Sequence, residues 1–332
     1  MLKSFFRKYL IFGILILFVM SCFLPFVTGS VLEKQNHVSR DVIIVDDEGD
    51  GDYTSIKEAV NNANPGDTIE VYSGTYYEHG INIVDEGITL LGIPHELGNG
   101  SDRGKPFIDG EGQDYVIFFD AKNITLTSFH IENDGGSAAH DMIDLSQKAE
   151  GCTISNNDLF NTSFCLIYIK GSNSKIINNN ISHSSLDEGI CLRSPCHNCL
   201  VSGNIITDVE TGLLLWESNN HTITGNKIMN CSDFGIDVAG SYNKIIGNHI
   251  EDNDIGIQIW NFFNSVKRNN FINNDLHAQF IYGIPLLQRF TNIWFGNYWD
   301  KPRLLPYPIP GVLVLLPIIQ FDWRPALKPY NI

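Results

Sequence analysis

The chain has 332 residues, of which 43% are hydrophobic and 18% are charged, and its formal net charge is −16. This composition is typical of a folded globular protein and argues against intrinsic disorder. A strongly acidic chain repels phosphate backbones, and no concentrated stripe of Lys or Arg offsets that charge. We therefore expect no nucleic-acid partner.

The amino-terminal segment predicts export. Lys3, Arg7 and Lys8 precede the apolar run "YLIFGILILFVMSCFLPFV" (9–27), and small residues follow it, which is the pattern of a signal peptide over residues 1–29. The mature protein would then be secreted, periplasmic or held at the cell surface. Because the run is near the lower length limit for a membrane span, a retained anchor, with membrane attachment through 9–27, stays an alternative.

The next segment, "DYTSIKEAVNNANPGDT" (52–68), predicts a short helix. Ser55 and Glu58 have the spacing of a capping box, and Pro65 with the following glycine ends the helical pattern. An apolar stripe at helical spacing is formed by Ile56, Ala59, Val60 and Ala63. We expect this helix to cap the first coil of the domain that follows.

The middle of the chain repeats itself about every 22 residues. One anchor is an Asn that precedes a short apolar segment, at Asn157, Asn179, Asn204, Asn226, Asn248 and Asn269. A second anchor, "GICL", "GLLL", "GIDV" and "GIQI", begins at 189, 212, 235 and 256. Both alternate apolar with other residues, which predicts strands with one buried face.

Such a short unit cannot bury its apolar face alone, so it must stack on its neighbours. The sequence therefore predicts an all-β fold, a parallel β-solenoid over 42–300, with coils about 4.8 Å apart and the Asn residues hydrogen-bonded in a ladder. A proline-rich carboxyl-terminal cap is expected over 301–332.

The opening "DDEGDGDYTSIKEAVNNANPGDTIEVYSGTYYE", followed by "ITLLG", resembles that of right-handed parallel β-helix proteins with the pectin-lyase-like fold. The Asn/Gly coils resemble the NosD-type branch, the periplasmic copper-binding β-helix proteins. The resemblance covers roughly 42–300 and implies right-handed coils. It does not imply one activity, because this fold hosts lyases, hydrolases, esterases, epimerases and binding proteins.

Residues that point outward from the repeated strands form a candidate binding face. The set comprises Lys170, Arg193, Trp216, Asp237 and Trp260. Aromatic rings beside charged groups suit stacking on sugar rings, so this face predicts a polysaccharide or envelope-glycan partner. The alternative is that long side chains cover the face and the Trp residues pack on them.

Catalysis at this face stays open. We expect binding or an envelope role without catalysis; the alternative is a polysaccharide lyase, for which Lys170, Arg193 and Asp237 are the candidate groups. A hydrolytic carboxylate pair is not predicted, since Asp144 and Asp237 lie four coils apart. His140 and Asp141 are interpreted as polar groups of an inserted loop.

Two segments suggest metal ligands. "CHNC" supplies Cys196, His197 and Cys199, and His221 follows one coil later, so four ligands for zinc or copper could converge. Disulfides or buried thiols are the alternatives in an exported protein. Metal handling in the NosD manner is the third functional hypothesis.

The acidic run "DDEGDGD" (46–52) offers a calcium hypothesis. Asp46, Glu48 and Asp50 fit the first positions of a helix–loop–helix calcium loop, but Lys57 stands where a bidentate Glu belongs. The alternative is a turn that places acidic groups at the start of the cap helix.

Overall fold

The computed structural model describes residues 41–98, 100–133, 141–184, 188–282, 291–313 and 316–332. The predicted signal peptide and the apolar run 9–27 lie outside these residues. Within them, the chain forms a right-handed parallel β-helix built from three sheets of eleven, eleven and ten strands, so the predicted fold class is confirmed. The described ranges contain no helix that is long and apolar enough to cross a membrane.

Each complete coil contributes one strand to each sheet. Sheet 1 contains Val42–Val45, Thr68–Tyr72, Thr89–Ile93, Thr125–Thr127, Thr153–Ser155, Lys175–Ile177, Leu200–Ser202, Thr222–Thr224, Lys244–Ile246, Ser265–Lys267 and Ile293–Phe295. Sheet 2 contains Thr75–Tyr77, Phe107–Asp109, His130–Glu132, Asp158–Thr162, Asn180–Ser184, Ile205–Thr207, Lys227–Met229, His249–Glu251, Asn270–Ile272 and Tyr298–Trp299. Sheet 3 contains Ile81–Ile83, Ile117–Phe119, Ile143–Leu145, Ile167–Ile169, Glu188–Arg193, Thr211–Trp216, Phe234–Val238, Ile255–Ile259, Leu276–Tyr282, Tyr307–Leu313 and Leu316–Asp322.

The core runs along the axis of the β-helix. Apart from the last strand of sheet 3, neighbouring strands pair in parallel and in register, so the buried residue of one coil lies on its counterpart in the next, as Ile223 lies on Ile245. In sheet 1 this column comprises Ile154, Ile176, Val201, Ile223, Ile245 and Val266. The alternating pattern of the sequence thus corresponds to one buried face per strand.

The predicted Asn ladder is present and fully buried. At one rung, the main-chain N–H and the side-chain Nδ2 of Asn204 both donate to Oδ1 of Asn226, each at 3.0 Å. Nδ2 of Asn226 in turn donates to the carbonyl oxygen of Val201 at 2.9 Å. The ladder continues past the predicted members to Asn297, which donates to the carboxylate of Asp322.

A short helix, Ile56–Asn62, lies at the amino-terminal end. Oγ of Ser55 accepts from the N–H of Glu58 at 3.2 Å, as the capping pattern predicts. The sequence did not reveal the second cap, the carboxylate of Glu78, which accepts from the first two N–H groups of the helix at 2.8 Å. Ile56 and Ala59 are fully buried, so the helix covers the open core of the first coils.

Aromatic rings close the other end. Phe271, Trp299 and Tyr307 stack in sequence, with centroid distances of 4.6 and 4.2 Å. The strand Tyr307–Leu313 continues sheet 3 in parallel, and Leu316–Asp322 then pairs with it in the antiparallel sense. The antiparallel strand ends the stacking of coils.

Replacing Asn226 by Ala should lower the free energy of unfolding by about 3 kcal/mol or more. The change leaves the N–H of Asn204 buried without its partner, at a cost of about 1–3 kcal/mol, and it also removes one hydrogen bond of the Asn204 Nδ2 and one to the Val201 carbonyl, each about 0.5–1.5 kcal/mol. Urea unfolding measures the loss. The control is Asn180→Ala, at an exposed site, which should change stability by about 0.5 kcal/mol or less; an equal loss in both variants would contradict the ladder's role.

Candidate functional site

The outer face of sheet 3 carries a cleft of about 480 Å³. We call it the sheet 3 cleft. It is lined by Asp141, Asp144, Phe164, Cys165, Tyr168, Lys170, Glu188, Cys191, Arg193, Leu214 and Trp216. Three of the predicted site residues, Lys170, Arg193 and Trp216, therefore come together in one place.

The pairing of strands positions these side chains. Asp144 pairs with Tyr168, and Tyr168 with Cys191, so these residues form one outward column. Arg193 pairs with Trp216 in the adjacent column. Because the strand period is two, the apolar residues between them point into the core, which leaves the cleft lined by polar and aromatic groups.

Aromatic and cationic groups are in contact across the cleft. The guanidinium of Arg193 lies 5.8 Å from the ring centroid of Trp216, and Nζ of Lys170 lies 4.8 Å from that of Tyr168. Trp216 nevertheless keeps 44% of its surface exposed. A partly exposed aromatic ring with a cation over part of its face can still contact a ring-shaped ligand that carries hydroxyl or carboxylate groups.

Three carboxyl groups line the same cleft. Burial, and then the charge of Asp144, raise the pKa of Asp141 to about 6. Burial also raises the pKa of Asp144, while the nearby Lys170 opposes that shift. Sγ of Cys165 donates to the carboxylate of Glu188 at 2.9 Å. The cleft therefore contains two acids, Asp141 and Asp144, whose protonated forms are favoured by burial.

Sequence reasoning missed two of these acids. Asp141 was interpreted as a loop group, but it lies in the cleft, whereas His140 lies outside the described residues. Glu188 precedes the glycine of its repeat and pairs with Thr211, so its position could have been found by extending the strand one residue toward its start.

The other two predicted residues of this face lie apart from the cleft. Trp260 belongs to the column of Trp216, but Ala239 separates them, and Trp260 does not line the cleft. Its Nε1 donates to Oδ1 of Asp237 at 2.8 Å. Burial raises the pKa of Asp237 to about 6, although the Trp260 hydrogen bond opposes that rise. This pair is held by its own contact, while 40% of the Trp260 surface stays exposed.

The predicted thiol and imidazole groups converge only in part. The sulphur atoms of Cys196 and Cys199 are 3.3 Å apart, and one atom from each, with a ring nitrogen of His221, lie within 4.8 Å of one another. All three residues are buried. His197 is exposed, and its Nδ1 contacts Oγ of Ser172 at 2.7 Å, so it lies outside this cluster.

The hydrogen bonds of Cys196, Cys199 and His221 indicate which of their atoms could bind a metal ion. Nδ1 of His221 accepts from the N–H of Cys199 at 3.1 Å, so the neutral ring carries its proton on Nε2, where a ligand would need a lone pair. The Cys196 thiol and then His221 hold the pKa of Cys199 well below its usual value. The two sulphurs suit a soft ion, but the imidazole in this form does not. The six described cysteines form no disulfide.

Fold and site together define an extended parallel β-helix with a polar cleft on one sheet. The family model of NosD, described as a periplasmic copper-binding protein, matches residues 60–304, and the chain belongs to this family. No curated protein sequence matches it significantly.

Among the solved structures that are similar in fold are XylC and an alginate lyase. XylC in complex with xylose has a TM-score of 0.54 and 11% identity, and the match covers 85% of this chain and 73% of XylC. An alginate lyase from Paenibacillus sp. has a TM-score of 0.50 and 11% identity, with 79% and 88% of the two chains covered. At such identities the likeness establishes the fold alone.

The raised pKa of Asp141 predicts a pH-dependent stability. The folded protein binds this proton more tightly than the unfolded chain, so the stabilisation is present at low pH and is lost as pH rises through about 6. The difference in unfolding free energy between Asp141→Asn and the parent should therefore increase, in favour of the variant, by about 1–3 kcal/mol as the pH rises from about 4 to about 7. Denaturant unfolding at several pH values measures this difference. For the control Asn180→Ala, which changes an exposed residue without a titratable group, the difference should not vary with pH; a flat profile for Asp141→Asn as well would contradict the raised pKa of Asp141.

Proposed function

We propose that the protein is exported and binds an acidic polysaccharide in the sheet 3 cleft without transforming it. The observation that carries the proposal is the exposed ring of Trp216 beside Arg193, within a cleft that also contains Lys170 and three carboxyl groups. The ring would stack on a sugar face, the cations would pair with uronate carboxylates, and the acids would accept from hydroxyl groups.

The comparisons support this class of ligand. The two similar structures have names that refer to xylose and to alginate, which are both carbohydrates. The family description places its members in the periplasm, in agreement with the predicted signal peptide. Binding also explains why a large aromatic ring stays exposed on an otherwise polar face.

Trp216→Ala should weaken binding of alginate or polygalacturonate about tenfold, because a lost stacking contact removes both its specific energy and buried apolar area. Isothermal titration with defined oligosaccharides measures the change. A matched control is Trp323→Ala, which removes an exposed Trp outside the cleft and should leave affinity unchanged.

Arg193→Ala separates acidic from neutral ligands. The substitution should weaken the binding of alginate more than the binding of neutral xylan, since only alginate carries the carboxylate with which the guanidinium would pair. If Trp216→Ala binds every glycan as the parent does, the cleft is not the binding site. If the parent releases unsaturated products and Lys170→Ala stops release while binding persists, the protein is a lyase and the non-catalytic proposal is wrong.

A second candidate function is the handling of a soft metal ion. Two buried sulphurs 3.3 Å apart favour it, and the family description names copper. Cys196 and Cys199 would hold the ion as thiolates, and the Nε2 of His221 would join them only in the other neutral tautomer, whose Nδ1 proton would replace the hydrogen bond from the Cys199 N–H.

Cys199→Ser should abolish binding of one copper(I) ion per chain, because it removes the thiol with the lowered pKa. Anaerobic titration against a coloured copper(I) chelator gives the stoichiometry. Cys231→Ser is the matched control, since Cys231 is equally buried and belongs to no metal-ligand group among the described residues. Equal copper binding by the parent and Cys199→Ser would rule out this candidate.

A further inference from the structure

A second group of acidic side chains lies at the start of the β-helix, away from the sheet 3 cleft. We call it the first-coil acidic cluster. It consists of two overlapping sets of three carboxylates, in each of which one oxygen per residue lies within 4.8 Å of the others. The sets are Asp46, Asp47 and Glu48, and Glu48, Glu96 and Asp102.

One member of the cluster is a buried Asp in which one carboxylate oxygen has no hydrogen-bond partner in the part of the chain that the structure describes. Asp46 has no exposed surface, and its Oδ2 accepts from the N–H of Asp50 at 2.9 Å. Its Oδ1 has no hydrogen-bond partner among the described residues. An ionised oxygen in that position is costly unless a donor or a cation meets it.

Main-chain amides fix the directions of two other carboxylates. Oδ2 of Asp47 accepts from the N–H of Thr75 at 2.9 Å. The two oxygens of Glu96 accept from the N–H groups of Leu97 and Asp102, at 2.9 and 3.1 Å. These bonds hold the acids close together rather than letting repulsion separate them.

Within the described ranges, no cationic side chain forms an ion pair with the first-coil acidic cluster. None of the ion pairs found among the described residues involves its five carboxylates. All the candidate ligand atoms of the cluster are carboxylate oxygens, which favour hard cations over soft metal ions. Calcium accepts six to eight oxygens in flexible geometry, whereas magnesium demands near-octahedral geometry and retains its waters.

We propose that the first-coil acidic cluster binds a calcium ion. The ion would join the turn after the strand Val42–Val45 to the segment that follows the strand Thr89–Ile93. It would thus fasten the first coils beside the cap helix. The ligand set differs from the one that linear spacing predicts, because Asp50 supplies an N–H to Asp46 and does not belong to either set, while Glu96 arrives from a later coil.

Calcium titration of the chelator-treated full-length protein tests the site. We expect one ion per chain, with a dissociation constant of about 10⁻⁴–10⁻³ M, the range of extracellular calcium modules. Calcium at ten times that value should raise Tm by about 3 °C. Magnesium at the same concentration should neither give this shift nor displace calcium.

Asp46→Asn is the sharpest variant. Its amide oxygen can still accept from Asp50, but an NH₂ group replaces the unpartnered oxygen, so calcium affinity should fall at least tenfold and the Tm shift should disappear. Glu96→Gln should do the same from the other segment. Asp52→Asn is the control, since it removes one exposed carboxylate of the same acidic run outside the cluster.

Three results would overturn the proposal. The parent could show no calcium-dependent heat or Tm shift, both cluster variants could bind calcium as the parent does, or magnesium could bind equally well. If Asp46→Asn fails to fold, Glu96→Gln decides the outcome, because it lies outside the buried turn. Glycan binding by the cluster variants should be unchanged, which separates this proposal from the polysaccharide proposal.

Discussion

Hydrogen bonds between stacked, buried Asn side chains are the constraint on which the rest of the molecule depends. Each amide ties the main chain of one coil to the next, so a coil cannot shift by one residue without leaving several polar groups buried and unpaired. The ladder ends where Asp322 accepts from Asn297 and from the ring N–H of Trp299. A carboxylate has no donor of its own and needs no acceptor in a further coil, so it can end a column that an amide would have to continue.

This register makes part of the site readable from the sequence. Once the Asn residues fix the coil length, the outward residues fall into columns. The sequence alone then predicts that Lys170, Arg193 and Trp216 share a face. Side-chain direction is not fixed in this way. The hydrogen bond from Trp260 to Asp237 depends on a rotamer, and it separates that ring from the cleft.

The residues that the sequence did not reveal lie just outside the repeated strands. Asp141 precedes one strand of sheet 3, and its place depends on how the chain enters that strand. The imidazole shows a second limit. The interval to Cys199 puts His221 near the thiols, but His221 also occupies a column with Asn243 and Asn264, each accepting from the main-chain N–H one coil earlier. The Nδ1 atom of His221 therefore accepts a main-chain hydrogen bond within this column, and the spacing of candidate ligands along the chain does not indicate that bond.

The candidate groups that lie outside the outward columns occur where the repeat is broken. The inward positions of the repeat carry apolar residues and amides that hold the coils together, and a change there costs stability. The acidic turn precedes the first complete coil, the imidazole replaces an amide, and Glu188 replaces the Thr or Phe of equivalent strands. Since neighbouring coils are only one strand spacing apart, a departure in one coil meets residues of the next. Candidate ligands then come from different coils, as Glu48 and Glu96 do, and a motif defined by spacing along the chain describes only one side of such a site.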